Sequence, residues 1–248
     1  MACFVPFTNR NLGLSFFVFR PTDVLVDEFV DALKEFSLRT ESLGCVQNSI
    51  FKSIHGNMIV WYGAWLKTSC ENKESLTTSL ISMLTHISSM AILTKYSFFE
   101  TYGGESRDGS VAVRFHTGDT ISVYEAVVAS SEDVDDVSYA CLAIFRSRFL
   151  KMEGVAAGVC FRCEDKPRVG CLHVWKSLQF CYSWVINSDN KTSMMPYLDR
   201  FPLEIKYDIF RVVYVNGDNI VLNSKLSSPA QILETRGESK EEGQVTKN

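Results

Sequence analysis

Along the chain the spacing of apolar positions switches between two and three-to-four. The clearest stretch is Gly44 to Lys67, GCVQNSIFKSIHGNMIVWYGAWLK. Two apolar runs flank Ile54-His55-Gly56-Asn57, and Gly-Asn in that setting reads as a hairpin, because glycine takes the positive φ of a primed turn. In the second run both parities are apolar. Met58, Val60, Tyr62, Ala64 and Leu66 fall on one side, and Ile59, Trp61 and Trp65 on the other. A strand wetted on one face alternates, so this one is expected to be covered on both. Fully burying a large apolar side chain contributes roughly 1.5–3 kcal/mol, which makes Trp61 and Trp65 anchors.

An echo runs from Gly154 to Trp184: the strand GVAAGVCFR, a turn at Glu164 to Arg168, and a long apolar strand from Val169 to Ile186. Gly44 and Gly154 are 110 residues apart, Trp61 and Trp175 are 114 apart, and Lys95-Tyr96-x-x-Phe99 recurs as Lys206-Tyr207-x-x-Phe210 after 111. On that alignment the second copy carries about four extra hairpin residues. The spacings point to a duplication.

The remaining elements fit two such units. Leu14 to Arg20 is a strand broken by Pro21, and Thr22 or Asp23 caps a helix running to Leu43 with Leu25, Val26, Phe29, Val30, Leu33 and Phe36 at helical spacing. Gly44 stops it. A second helix opens at Glu71 to Glu74 and buries Leu76, Leu80, Met83, Leu84, Ile87 and Met90; Tyr96 to Tyr102 then returns as a strand. The order β-α-β-β-α-β is ferredoxin-like. Gly103 to Gly109, GGESRDG, reads as a polar boundary. Beyond it, Val111 to Phe115 and Thr120 to Val128 read as a hairpin about Thr117-Gly118-Asp119, followed by a helix through Phe149. After the echo come a loop at Ser188 to Lys191, a short helix over Thr192 to Phe201, and a strand over Tyr207 to Val215. From Ser224 the chain is polar and charged without aromatic residues, which predicts a disordered tail. The expected fold class is therefore α+β: two related ferredoxin-like units, 1–109 and 110–223, packed as a sandwich or barrel, with a disordered C-terminal tail over 224–248.

Composition narrows the function classes. Hydrophobic residues make up 46% and charged residues 22%, as in a soluble globular chain. A net charge of −4 argues against a phosphate-tracking surface. No run of 18 apolar residues occurs and the N-terminus lacks a signal-peptide layout, so no membrane span or export is expected. The eight cysteines are too sparse for a disulfide scaffold, which makes a reducing compartment, cytosol or nucleus, the default.

The sharpest chemical cluster is Cys160-x-x-Cys163 followed by Cys171-x-His173, a set whose thiolates and imidazole suit zinc. Residues 160 and 163 would face opposite sides of a regular strand, so packed free thiols are the favoured reading, and no metal ligand is assigned. Trp61-Tyr62-Gly63-Ala64-Trp65 invites comparison with an RNA-recognition sheet, but Ile59 and Val60 stand where a basic residue and glycine belong. Regulatory ligand-binding domains place a glycine-rich turn after the first strand, where this chain has Arg20-Pro21-Thr22-Asp23. In two-repeat α+β barrels a histidine can face a ligand or haem, and His173 is the one candidate for that role. His55, His86 and His116 sit at turns or on a polar face. Glu132, Asp133, Asp135 and Asp136 read as acids at a helix start, and Asn190-Lys191-Thr192 is a glycosylation sequon.

The opening MACFVPFTNRNL, with SFFVFRP, SIFKSIHGNMIVWYGAWLK, VWKSLQFCYS and KYDIFRVVYV, resembles an uncharacterised family of land-plant proteins. The resemblance implies a plant origin and an intracellular protein, and carries no activity and no functional residues. The resulting expectation is a non-enzymatic binding or interaction module with room for a protein partner, no nucleic acid, no membrane and no cofactor. The alternative is a small-molecule-binding α+β barrel, with catalysis as one form of it. A closed pocket lined by polar groups from both halves favours the second, and a filled core with an exposed apolar patch favours the first.

Overall fold

A computed structural model describes residues 1–8, 11–67, 72–149, 151–186 and 203–217. The short helix expected over 192–201, the sequon at 190–192 and the C-terminal tail lie outside these residues. The first half runs β1 (Ala2–Pro6), β2 (Leu12–Pro21), α1 (Val26–Thr40), β3 (Cys45–Ser53), β4 (Ile59–Leu66), α2 (Lys73–Leu84) and β5 (Ala91–Ser106). The second repeats the order with β6 (Ala112–His116), β7 (Thr120–Val128), α3 (Val134–Phe149), β8 (Val155–Cys163), β9 (Arg168–Trp175), α4 (Leu178–Ile186) and β10 (Leu203–Gly217). Each half is a βαββαβ unit preceded by a short strand.

Eight strands close into one barrel in the order β10-β3-β4-β2-β5-β8-β9-β7. The seams between halves are β5 with β8 and β10 with β3, both antiparallel. Closure leaves no bare sheet edge. It also explains the doubly apolar hairpin. Val60, Tyr62 and Ala64 point into the barrel, while Trp61 and Trp65, both fully buried, lie outside it beneath the helices. Burial of these rings also removes them from any base-stacking role.

The β1–β6 ribbon closes one end of the barrel. Cys3, Val5, Val113 and Phe115 join the interior core, and the Phe115 ring packs on Phe51 and Tyr62 at 5.6 and 6.3 Å. Gln47 pins β1 from the barrel wall: its Oε1 accepts the Phe4 N–H at 2.7 Å, and its amide donates to the Phe4 carbonyl at 3.3 Å.

Strand pairing fixes the correspondence between halves. Cys45 faces Trp65 and Val155 faces Trp175, and each pairing is followed by a bulge. The two hairpins are therefore equal in length, and Trp175 answers to Trp65, 110 residues earlier, not to Trp61. The indoles agree: Trp65 donates to Ser15 on β2 at 2.8 Å and Trp175 to Ser122 on β7 at 2.9 Å. The Lys-Tyr-x-x-Phe repeat holds, because Phe99 pairs with Leu14 as Phe210 pairs with Ile121.

Four other expectations are corrected. The run from Val169 to Ile186 is not one strand: β9 ends at Trp175 and α4 follows, supplying the second helix of the unit. The segment 111–115 does not pair with β7, because β6 pairs with β1. Gly103 and Gly104 lie inside β5 rather than in a turn. The first hairpin turns through residues 54–58, and Gly56 is not among the positive-φ glycines, which are Gly44, Gly109 and Gly118. Gly44, at φ 89°, terminates the α1 segment as expected.

Candidate functional site

Among the described residues, the end of the barrel opposite the ribbon is open. The strands deliver inward-facing side chains at every second residue, and there they enclose a cavity of about 230 Å³ lined from both halves. Its floor is aromatic. Phe16 stacks on Phe161 at 5.3 Å, Phe99 meets both edge-on at 5.5 and 5.2 Å, and Phe210 completes the wall. Phe161 also lies over Gly170, whose missing Cβ makes room for the ring. An eight-stranded barrel is wide enough for its side chains to fill it or to hold one small ligand. Here the ribbon end is filled and the mouth is not.

The rim is charged. Lys95 on β5 forms an ion pair with Glu125 on β7, and Arg168 on β9 approaches the same carboxylate at 3.7 Å. The Glu125 side chain is only 13% exposed. Lys206 pairs with Glu204 at 3.2 Å, and the Asp208 carboxylate accepts the Ile209 N–H at 2.7 Å. Lys95 and Lys206 are counterparts, opposite Val18 and Glu125 respectively. The same correspondence sets Val18, Met58 and Val60 of the first half against Glu125, Arg168 and Gly170 of the second. At these positions the first half is apolar and the second carries the charged pair Glu125 and Arg168; among the described residues Lys95 and Arg168 share Glu125, and Lys206 pairs with Glu204.

His173 lies elsewhere, on the outer face of β9 beneath α3. It is 6% exposed and stacks on Phe145 at 4.9 Å and 16°. Among the described residues, neither ring nitrogen has a hydrogen-bond partner. Burial lowers its pKa to about 4, so the imidazole is neutral. A recess of about 70 Å³ adjoins it, far below the ~300–1,000 Å³ of drug-sized sites. A porphyrin is no smaller than such ligands, so haem does not fit beside His173.

The zinc set is divided by the sheet. Cys160 and Cys171 face each other on the outer side with sulfurs 3.0 Å apart, whereas Cys163 belongs to the barrel interior. Burial raises the thiol pKa values of Cys141, to about 12, and of Cys163. Among the described residues, no group of three or more His, Cys, Asp or Glu is placed to hold a metal ion. His55 Nε2 meets the Tyr182 hydroxyl at 2.8 Å, and His116 lies 3.5 Å from Asp119. No described helix is long and apolar enough to cross a membrane. The rim residues Glu125 and Arg168 were not recognisable as a site beforehand. Their one signal is a charge at an inward position of an otherwise apolar strand.

Residues 97–210 match a family described as a domain of unknown function (DUF7392). No curated protein matches the chain. Among solved structures, the chain is similar to an anthrone oxidase-like protein, with a TM-score of 0.67, 11% identity, and 86% of this chain and 96% of that one covered. It is also similar to a candidate monooxygenase from Fusobacterium nucleatum, with a TM-score of 0.59, 10% identity, and 84% and 95% covered. A heme-binding protein from Thermus thermophilus superposes with a TM-score of 0.50, 9% identity, and 92% and 98% covered. At these identities the likeness concerns the fold. These neighbours and the open mouth overturn the expectation of a non-enzymatic interaction module, which a filled core would have favoured.

Proposed function

We propose that the barrel binds a small, uncharged, largely apolar organic molecule with an aromatic ring in its open mouth. The observation that carries this reading is the cavity walled by Phe16, Phe99, Phe161 and Phe210 beneath a charge-balanced rim. Aromatic rings attract one another in offset or edge-on geometry and add about 0.5–1.5 kcal/mol per pair beyond simple burial. A charged ligand would surrender hydration to a rim whose charges are already paired, so neutrality is favoured. The volume suits one or two rings. Lys95 and Glu125 would donate to and accept from a polar substituent at the entrance. The likeness to an anthrone oxidase-like protein, a monooxygenase and a heme-binding protein supports a small-molecule role. The described cysteines are all free, which supports a reducing compartment, cytosol or nucleus.

The test is a fluorescence titration with the neutral two-ring probe 1-naphthylamine. Saturable binding is expected, lost in Val123→Trp, where the new indole fills the mouth, while circular dichroism stays unchanged. Equal binding by wild type and by a folded Val123→Trp protein removes the proposal.

A further inference from the structure

We propose that the recess beneath α3 is a second site, which binds a single-ring aromatic molecule whose O–H or N–H donates to His173, the chemistry of a phenol or an azole. The proposal stands on the comparison of the two halves, independently of the mouth. Strand register makes Cys171 the counterpart of Trp61 and His173 the counterpart of Gly63. In the first half the Trp61 indole lies over Gly63, packs on Phe36 at 5.0 Å and on Phe17 at 5.8 Å, and donates to Ser37 Oγ at 2.9 Å. The same frame in the second half lacks that indole. Tyr124 replaces Phe17 and His173 takes part of the space, while Cys171 turns its sulfur to Cys160. What remains is the recess, walled by Tyr124, Cys141, Ile144, Met152 and Val169.

The occupant follows from those walls. An aromatic ring already fits this position in the first half, and the remaining volume of about 70 Å³ limits the occupant to no more than one ring. Arg148 and Glu125 border the recess as well, but the surface presented to it is almost wholly apolar, so the ligand is neutral. His173 is buried with both nitrogens unpartnered among the described residues. A neutral imidazole has one nitrogen that accepts and one that donates, and buried polar groups of this kind are nearly always paired. A phenolic O–H supplies the missing donor, and an azole supplies both donor and acceptor.

The experiment titrates ¹⁵N-histidine-labelled full-length protein with phenol, with toluene as the control that lacks a donor. Phenol is expected to shift the His173 ring nitrogens saturably and to bind about five- to tenfold tighter than toluene, the worth of one hydrogen bond. Cys171→Leu, which fills the recess, should abolish binding. His173→Phe should keep toluene and lose the preference for phenol. Val123→Trp, which closes the barrel mouth, should leave phenol binding intact, so the two proposals fail separately. Absence of a saturable His173 shift in the wild-type protein overturns the inference whatever the variants do, as does a phenol preference that survives in folded His173→Phe.

Discussion

Replacing Glu125 by glutamine removes the carboxylate that Lys95 and Arg168 share at the barrel mouth. The loss can be bracketed from the structure. At about 4 Å and an effective dielectric near 20, one pair is worth roughly 4 kcal/mol before desolvation is subtracted. Exposed pairs retain about 0.2–1 kcal/mol, whereas breaking a fully buried pair costs about 3–5 kcal/mol. Glu125 is 13% exposed, Arg168 21% and Lys95 31%, which places Glu125→Gln between these limits, at about 2 kcal/mol. Lys95→Met should cost less, about 1 kcal/mol, because Glu125 keeps Arg168. In the double variant Lys95→Met/Glu125→Gln the repulsion between Lys95 and Arg168 is gone as well, so its loss should fall about 1 kcal/mol short of the sum of the single losses. Urea unfolding of the four proteins at low and high salt measures this coupling, and salt should shrink the Glu125→Gln loss. Additivity within about 0.3 kcal/mol, the behaviour of independent sites, would refute the three-charge rim.

Two further outcomes follow from the duplicated frame and the buried histidine. Trp65→Phe and Trp175→Phe should cost similar amounts, each about 1–3 kcal/mol from lost packing and a lost indole–serine bond; a near-neutral Trp175→Phe in urea unfolding would break the correspondence of the two tryptophans. His173 has a native pKa of about 4 against an ordinary 6.5, so the unfolded chain takes up its proton first as the pH falls. The stability this histidine contributes is full above pH 6.5 and is lost on descent towards pH 4. By linkage, wild type should lose about 2 kcal/mol more than His173→Phe between pH 7 and pH 5, and equal losses in unfolding titrations would contradict burial of a neutral imidazole.

How much of this was legible in the sequence depends on which residues carried the signal. The doubly apolar strand of Ile59 to Leu66 announced a sheet covered on both faces, and the Lys-Tyr-x-x-Phe repeat announced the duplication, because both are local patterns that the barrel leaves intact. The alignment of Trp61 with Trp175 failed for a physical reason. Bulk is not conserved position by position between the halves, and Cys171 stands where register requires the partner of Trp61. Matching tryptophan to tryptophan imported a four-residue error. α4 was misread because LQFCYSWVI is apolar on nearly every side, and a short apolar run does not reveal its period. The β1–β6 pairing joins residues more than 100 apart in the chain, and no local pattern encodes it.

The site was the least legible part, and the reason lies in how it is made. Its polar groups arise where the second half departs from the first: Glu125 for Val18 and Arg168 for Met58. Each substitution is ordinary alone, since a lone charge in a strand reads as a solvated face. They acquire meaning only when closure turns that face inward and register sets each residue against its counterpart. A frame that uses the same fold twice holds both halves with similar tryptophan–serine bonds and similar helix layers. Stability is thus shared between the halves, which leaves the second free to exchange packing for polarity. Restoring the first-half residues at the rim, by Glu125→Val together with Arg168→Met, should therefore leave the barrel folded in circular dichroism while removing selectivity for polar substituents in the mouth. A chain that unfolds on this exchange would mean that the charges hold the barrel together instead of serving its ligand.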